Sequence, residues 1–150
     1  MRVVIQRVSE AQVKIDSKLI CSISRGLLIL LGIEKEDDFS DISWLTNKIS
    51  NLRIFSDNKG KMNYSIKEID GEIIIVSQFT LHAKTKKGNR PSYIRAASPD
   101  YAIPLYEKFI NELANDTGKN VFKGEFGADM KVSLINDGPV TIIIDTKKKD

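Results

Sequence analysis

The sequence predicts an α+β fold in which a curved, mainly antiparallel sheet packs against two helices. Strand-like runs fill the first quarter of the chain, two later segments repeat apolar residues at helical spacing, and further strand-like runs close the sequence. The chain has 150 residues and no visible linker or internal repeat. We therefore expect a single domain over residues 1–150.

The first quarter of the chain is typical of a β-meander. Alternating or β-rich runs cover Val3 to Val8, Ala11 to Ile15 and Leu19 to Ile23, and a continuous apolar run covers residues 27–31. Turn-forming residues at positions 16–17 and 25–26 separate these runs. Four short strands are expected here.

A first helix is expected from about Asp38 to Asn51, because apolar residues recur there on one face and Asp37 or Asp38 can cap its start. Turn sequences follow at residues 56–60 and 69–72. The apolar run 73–76 then has the composition of a buried strand. A polar segment, residues 77–81, directly follows this run.

A second helix is expected to have Ser98 as its cap and Pro99 at its first position, and to end near Gly118. Pro104 conflicts with a regular helix, because proline removes a backbone hydrogen bond there. Either the regular helix starts near Ile103 or the first turn is kinked.

The remaining segments flank this second helix. Before it, Lys84 to Arg95 is basic, contains glycine and proline, and is expected to form an exposed loop. After it, strands are expected at about Met130 to Ile135 and Val140 to Asp145. Residues 145–150 are expected to form a frayed tail.

Composition and charge disfavour several classes of protein. No apolar run approaches the roughly 20 residues that cross a membrane, and the N-terminal sequence lacks the features of a signal peptide. We therefore expect a cytoplasmic protein with no membrane partner. Cys21 is the sole cysteine and is typical of a small buried apolar residue. The net charge of +3 permits an RNA partner without requiring one.

The residue types that common catalytic sites use are scarce. One histidine, His82, and one cysteine do not make a zinc ligand set, and no glycine-rich phosphate loop is visible, so we expect no metal and no cofactor. On a continuing strand Thr80 and His82 would share a face, which would allow a hydroxyl–imidazole pair. A half-exposed histidine at a strand end is the simpler interpretation.

Two polar segments interrupt the apolar strands. Main-chain N–H groups released at the strand end formed by Ser77-Gln78-Phe79-Thr80 could form an oxyanion hole, although composition alone favours local hydrogen bonding for these residue types. Asn136-Asp137-Gly138-Pro139 is typical of a tight turn between antiparallel strands. The base rate favours a trans peptide before Pro139. In the cis form, the Gly138 and Pro139 carbonyls could point the same way and bind an ammonium group.

These two segments resemble the paired motifs of D-aminoacyl-tRNA deacylases of the bacterial and eukaryotic type. The motifs read SQFTL at 77–81 and NDGPVT at 136–141. Other segments resemble that family in the same order along nearly the whole chain: IQRV at 5–8, GLLILLG at 26–32, RIFSD and GKMN within 53–63, GNRPS at 88–92, ASPD at 97–100 and FGADMKVSL at 126–134. The chain is thus identified as a member of this family, with its fold.

The resemblance implies a hydrolase that cleaves the ester of D-aminoacyl-tRNA and of glycyl-tRNA while rejecting L-aminoacyl substrates. It implies a homodimer with the active site at the interface, where a cis Gly138-Pro139 reaches the partner's pocket and holds the substrate amino group. Arg7 would brace this motif, and a solvated arginine on an edge strand is the alternative. Phe126 and Met130 match positions that border the aminoacyl pocket, although core packing alone explains an aromatic residue and a methionine equally well.

For the chemistry, the resemblance implies that the Phe79 and Thr80 amides stabilise the oxyanion while Ser77 and Gln78 shape the site of the terminal adenosine. A water assisted by the tRNA ribose hydroxyl is favoured over Thr80 as nucleophile, because a threonine hydroxyl needs a nearby base.

Two other interpretations stay open at this point. The chain could be an RNA-binding module without activity, or a small-molecule esterase that uses Thr80 and His82. The basic segment from Lys84 to Arg95 could contact tRNA phosphates or simply be solvated.

Overall fold

The computed structural model describes residues 1–149. The elements follow the order β1 (Arg2–Ile15), β2 (Lys18–Ile23), β3 (Gly26–Gly32), α1 (Phe39–Ser50), β4 (Phe55–Ser56), β5 (Met62–Tyr64), β6 (Glu72–Ser77), a 3₁₀ turn (Phe79–His82), α2 (Pro99–Thr117), β7 (Val121–Lys123) and β8 (Lys131–Asp145). Three short elements, β4, β5 and β7, were not predicted from the sequence.

Six strands form a mixed sheet, so the prediction of a mainly antiparallel sheet is wrong. The order is β2-β1-β3-β6-β7, and β8 pairs with β1. β1 runs antiparallel to β2, β3 and β8, whereas β6 is parallel to β3 and β7 is parallel to β6. The physical reason lies in the connections, because each parallel pair is joined by a crossover that contains a helix.

β1 and β8 are long strands where the sequence predicted two short strands each. They pair along nearly their full lengths, from Arg2 opposite Asp145 to Lys14 opposite Lys131. Gln6 lies opposite Thr141 and Val8 opposite Asn136, so residues 137–140 bulge out against one residue of β1. The polar segment that suggested a turn is this bulge, and the chain continues in the same direction after it.

Both helices begin near their predicted caps. Asp38 caps α1 in a reciprocal capping box with Asp41. α2 begins at Pro99 and ends before Gly118, which has a φ of 65°. Pro104 lies inside α2, so a start near Ile103 is wrong, and the Asp100 carbonyl lacks the usual helical donor at this position.

The apolar core covers both faces of the central strands. Leu27, Ile29, Ile73 and Ile75 belong to the cluster that packs against α1 and α2. The alternate residues of β3 and β6, such as Leu28 and Ile74, belong to a second cluster with β1 and β2. Burial on both faces explains why these strands are continuously apolar.

Residues 146 and 147, which belong to the segment expected to fray, contact the rest of the chain. Thr146 is buried, and its Oγ1 accepts a hydrogen bond of 2.9 Å from the Met1 ammonium group. The Lys147 ammonium donates to the Asp41 carboxylate at 2.9 Å. Residue 150 of that tail lies outside the described residues. No helix among residues 1–149 is long and apolar enough to cross a membrane.

Candidate active site

A cavity of about 580 Å³ opens where β3 and β6 end and α2 begins. Five of the residues predicted for the site line it: Ser77, Gln78, Phe79, Phe126 and Met130. The rest of the lining is mostly apolar and includes Leu31, Ile33, Tyr93, Ala96, Ala97 and Ala102. Such a cavity, with a few polar groups at one wall, has the character of a ligand site.

The polar wall is built by the end of β6. Ser77 is the last residue paired with β3, and the Gln78 N–H donates to the Leu31 carbonyl at 2.7 Å. The chain then enters the 3₁₀ turn, so the continuing strand on which Thr80 and His82 would share a face does not form. The first hydrogen bond of the turn runs from the Leu81 N–H to the Gln78 carbonyl at 3.2 Å. The amides of Phe79 and Thr80 precede that bond and are not used by the turn.

Gly32 allows this turn to pack on the end of β3. A Cβ atom at this position would lie 3.0 Å from both the Gln78 carbonyl oxygen and the Leu81 Cβ. Such contacts are too close for any other residue without a shift. Gly32 was not among the predicted site residues, although its position as the glycine that ends an apolar run was a signal in the sequence.

The side chains at the cavity mouth limit what Thr80 can do. The Gln78 side-chain amide donates to the Thr80 Oγ1. Phe79 is 54% exposed and contacts the Tyr93 ring edge-on, with 5.0 Å between ring centroids. The Thr80 hydroxyl is therefore already engaged by a neighbouring amide.

Phe126 and Met130 also line the cavity. Phe126 packs edge-on against Tyr106, whose hydroxyl donates to the Ile75 carbonyl at 3.1 Å. Burial raises the pKa of Tyr106, which keeps this hydroxyl protonated as a donor. Met130 packs over Gly124, where a Cβ would lie 2.3 Å from the Met130 sulfur. Both positions combine packing with lining of the cavity.

His82 does not fit either expectation for it. It is only 3% exposed, so the half-exposed interpretation is wrong. Its Nδ1 lies 3.9 Å from a Glu34 carboxylate oxygen, and its Nε2 has no hydrogen-bond partner among residues 1–149. The hydroxyl–imidazole pair with Thr80 is absent from these residues, because the 3₁₀ turn replaces the strand alternation that would align the two side chains.

Arg7, Gly138 and Pro139 form a second group away from the cavity lining. The Gly138-Pro139 peptide is cis, as the resemblance implied and against the base rate. Arg7 donates from Nε to the Asp137 carbonyl at 2.8 Å and from a terminal nitrogen to the Ile54 carbonyl at 2.5 Å. Gly138 and Pro139 are exposed. The bulge is thus held by the guanidinium group while its tip faces solvent.

The Asn136 side chain closes the base of the same bulge. Its Oδ1 accepts from the Val140 N–H at 2.7 Å, and its Nδ2 donates to the Val140 carbonyl at 3.2 Å. Within residues 1–149, no cluster of three or more His, Cys, Asp or Glu side chains is placed to bind a metal ion.

Comparison with known proteins identifies the family. The model of the family described as D-Tyr-tRNA(Tyr) deacylase matches residues 4–145. The chain belongs to this deacylase family. The resemblance seen in the two motifs is therefore confirmed, as is the prediction that the chain is an enzyme of the hydrolase class.

Relatives in this deacylase family match over the full length. The chain is 65% identical over 150 residues to a D-aminoacyl-tRNA deacylase of Flavobacterium psychrophilum, and the match covers 100% of each chain. It is 63% identical to a protein of the same name from Bacteroides fragilis, again with 100% of each chain covered.

Solved structures share the fold. One described as a c-Myc DNA Unwinding Element Binding Protein has a TM-score of 0.92 and 39% identity, over 97% of this chain and 98% of that chain. Another, described as a probable eukaryotic D-amino acid tRNA deacylase, has a TM-score of 0.83 and 16% identity, over 95% of this chain and 97% of that chain. The second likeness concerns the fold alone.

Proposed function

We propose that this chain hydrolyses the ester bond of D-aminoacyl-tRNA and releases free tRNA and the D-amino acid. Family membership supports the reaction class. The observation that carries the proposal is the cavity wall, where the unused Phe79 and Thr80 amides begin the 3₁₀ turn beside the mostly apolar cavity. The proposed enzyme is a single cytoplasmic domain that uses no metal and no cofactor.

In this proposal, the cavity receives the aminoacyl end of the substrate. Phe126 and Met130 border the amino-acid side chain, and Ser77 and Gln78 shape the site of the terminal adenosine. A cavity of about 580 Å³ is large enough for a group of this size. Its mostly apolar lining also lowers the local dielectric constant, which strengthens hydrogen bonds to the ester carbonyl.

The reaction is hydrolysis assisted by the substrate itself. Water adds to the ester carbonyl carbon, and the Phe79 and Thr80 amides stabilise the negative charge that develops on the oxygen. The bond to the ribose oxygen then breaks, and that oxygen takes the proton that the attacking water gives up, which leaves the D-amino acid and a free ribose hydroxyl. The neighbouring ribose hydroxyl of the tRNA orients the water. Thr80 is a poor candidate nucleophile, because Gln78 occupies its hydroxyl and His82 does not pair with it.

Selection by chirality depends on a second copy of the chain. In a homodimer, the Gly138 and Pro139 carbonyls of one subunit enter the cavity of its partner and hold the substrate α-amino group. A main-chain acceptor at this point leaves no room for an L-side chain, whereas D-residues and glycine fit. The exposed tip of the bulge, its bracing by Arg7 and its absence from the cavity lining of its own chain support this arrangement.

Hydrolysis of matched D-Tyr-tRNA, L-Tyr-tRNA and Gly-tRNA by the purified protein tests the proposal. We expect rapid release from the D-aminoacyl and glycyl substrates and release from L-Tyr-tRNA at the spontaneous rate. Equal cleavage of both enantiomers would refute the chiral mechanism. No release from any substrate would favour an RNA-binding module without activity.

A further inference from the structure

The segment from Lys84 to Arg95, the basic loop, concentrates positive charge on one surface. It contains five basic residues, Lys84, Lys86, Lys87, Arg90 and Arg95, and no acidic residue. The whole chain has a net charge of +3, so the rest of the molecule is net negative. This asymmetry points to an anionic partner for this surface.

The basic loop is anchored at its base and open at its tip. Lys84 and Ser92 exchange two main-chain hydrogen bonds, of 2.8 and 3.0 Å. The Lys35 N–H donates to the Arg95 carbonyl at 3.3 Å, which ties the end of the loop to the residues after β3. Gly88 turns the tip with a φ of 68°, and every residue from Lys84 to Arg95 is exposed.

The basic loop also adjoins the cavity mouth. The loop begins two residues after the end of the 3₁₀ turn. Tyr93, near the end of the loop, lines the cavity and contacts Phe79. Ala96, directly after the loop, lines the cavity too. If one end of a ligand occupies the cavity, the part that extends out of the cavity therefore runs past this surface.

The five basic side chains are available for such a ligand. Within residues 1–149, none of them forms an ion pair with an acidic side chain of the chain itself. Lys123 and Lys147, in contrast, pair with Glu107 and Asp41. Exposed cations without partners are free to neutralise nucleic-acid phosphates and to release the counter-ions condensed on them.

We infer that the basic loop binds the phosphates of the tRNA strand that leads to the aminoacylated 3′ end. This inference rests on the proposed function, because that function puts the terminal aminoacyl nucleotide in the cavity. The preceding phosphates then run out through the mouth beside the loop. The contacts are electrostatic and independent of base sequence, so they add affinity for tRNA without taking part in the cleavage.

The test compares two triple variants with the wild-type protein. Lys86→Gln/Lys87→Gln/Arg90→Gln removes three charges from the loop, and Lys59→Gln/Lys61→Gln/Lys67→Gln removes three exposed charges elsewhere. The deciding measurement is the affinity for uncharged tRNA between 50 and 200 mM salt. Hydrolysis of D-tyrosyl-adenosine, which lacks the phosphates, reports separately on the cleavage.

The expected effect follows from counter-ion release. Six to ten phosphate contacts give roughly 10³- to 10⁵-fold loss of affinity over this salt range, so each contact accounts for roughly threefold. The loop variant should therefore bind tRNA more weakly at 50 mM salt, and its deficit relative to wild type should shrink by about thirtyfold between 50 and 200 mM salt, since three contacts at roughly threefold each are lost. It should cleave D-tyrosyl-adenosine at the wild-type rate. The control variant should bind tRNA nearly as wild type.

Equal tRNA affinity of the two triple variants would overturn the inference. If both bind as wild type, the loop makes no contact, and if both lose affinity equally, binding depends only on net charge. If the wild-type protein binds tRNA through the loop but cleaves neither substrate, tRNA binding by the loop stands and the proposed function fails. The two failures are thus distinguishable.

Discussion

At the scale of single residues, the proposed chemistry depends on main-chain groups more than on side chains. The amide of Phe79 occupies the first position of the 3₁₀ turn and is not needed by the turn. Proline is tolerated at such a position, because its missing N–H would have no partner there. Gln78, the residue before it, has a φ of −144° and a ψ of 77°, which is outside the α region that a following proline disfavours.

Phe79→Pro therefore tests the oxyanion site without altering an ionisable group. We expect kcat on D-Tyr-tRNA to fall by about 10²- to 10³-fold relative to Phe79→Ala, which loses the same ring but keeps the amide. Steady-state kinetics of both variants measure the difference. Similar kcat values for the two would show that the Phe79 amide does not stabilise the transition state.

Gly138 is the residue at which added volume should do most damage. Its φ of 147° is rarely adopted by other residues, and a Cβ would lie 3.1 Å from the Val140 nitrogen and 2.9 Å from the Arg7 guanidinium group. We expect Gly138→Ala to lower kcat/KM by about 10²-fold through displacement of the bulge. Gly60→Ala is the matched control, since it also has a positive φ but open space around it. Comparable activity of the two variants would contradict the role of the bulge.

His82 separates the proposed mechanism from an esterase that uses a hydroxyl–imidazole pair. We expect His82→Ala to retain kcat on D-Tyr-tRNA within about threefold, because the imidazole does not reach the Thr80 hydroxyl. The free energy of unfolding should fall by about 1–3 kcal/mol, because a buried side chain is lost. Assays well below the melting temperature keep the two effects apart. Loss of turnover in a folded variant would favour the esterase.

At the scale of elements, the pairing of β1 with β8 determines where the bulge lies. Arg2 closes one end of this pair, and its guanidinium group donates to the Asp145 carboxylate at 3.0 and 2.7 Å. Burial alone would raise the pKa of Asp145, but the hydrogen bond from Arg2, with smaller contributions, holds the pKa below its usual value. The contact therefore favours the charged carboxylate.

Asp145→Asn tests this contact through its pH dependence. Because the folded pKa is lowered, its stabilisation is present above the unfolded pKa of about 3.9 and is lost as pH falls through the folded pKa. We expect the variant to lose about 1–3 kcal/mol at pH 7 and the difference to shrink below about pH 4. Urea unfolding at several pH values measures it. The control Asp129→Asn, at an exposed ion pair, should change the free energy of unfolding little. A larger loss of stability for Asp145→Asn at pH 3 than at pH 7 would contradict the role of the Arg2 contact.

The sequence predicted helices and buried strands well, because their signals are local. The Asp38 cap and the apolar runs of β3 and β6 depend on neighbouring residues alone. The continuity of β8 cannot be predicted from neighbouring residues, because only pairing with β1 distinguishes a four-residue bulge from a turn. The parallel pairing of β6 and β7 likewise follows from how helical crossovers pack. Long-range pairing was the missing information.

The site shows the same division between local and long-range information. The strand end at Ser77 was visible in the sequence, since an apolar run stops there. The 3₁₀ turn after Gln78 was not, because it requires the space that Gly32 leaves on a different strand. The burial of His82 has the same origin. In the sequence alone, only the resemblance to a known family linked the two polar segments.

At the scale of the whole molecule, the two halves of the proposed site lie on different parts of one chain. The cavity wall contains Ser77 to Phe79, whereas the bulge with Gly138 and Pro139 does not line that cavity. A second copy would bring the halves together, and the basic loop would guide the tRNA strand to the mouth of each cavity. Neither copy alone would then sort substrates by chirality.

The most direct test of this shared site is a heterodimer of two inactive variants. One subunit carries Phe79→Pro and the other carries Gly138→Ala, each with a different affinity tag, and the mixed dimer is purified through both tags. If one subunit's bulge completes its partner's cavity, the mixed dimer has one intact site and should recover roughly half of the wild-type activity on D-Tyr-tRNA. Activity no higher than that of the two parent variants would contradict the account, because it would mean that each site is built within one chain.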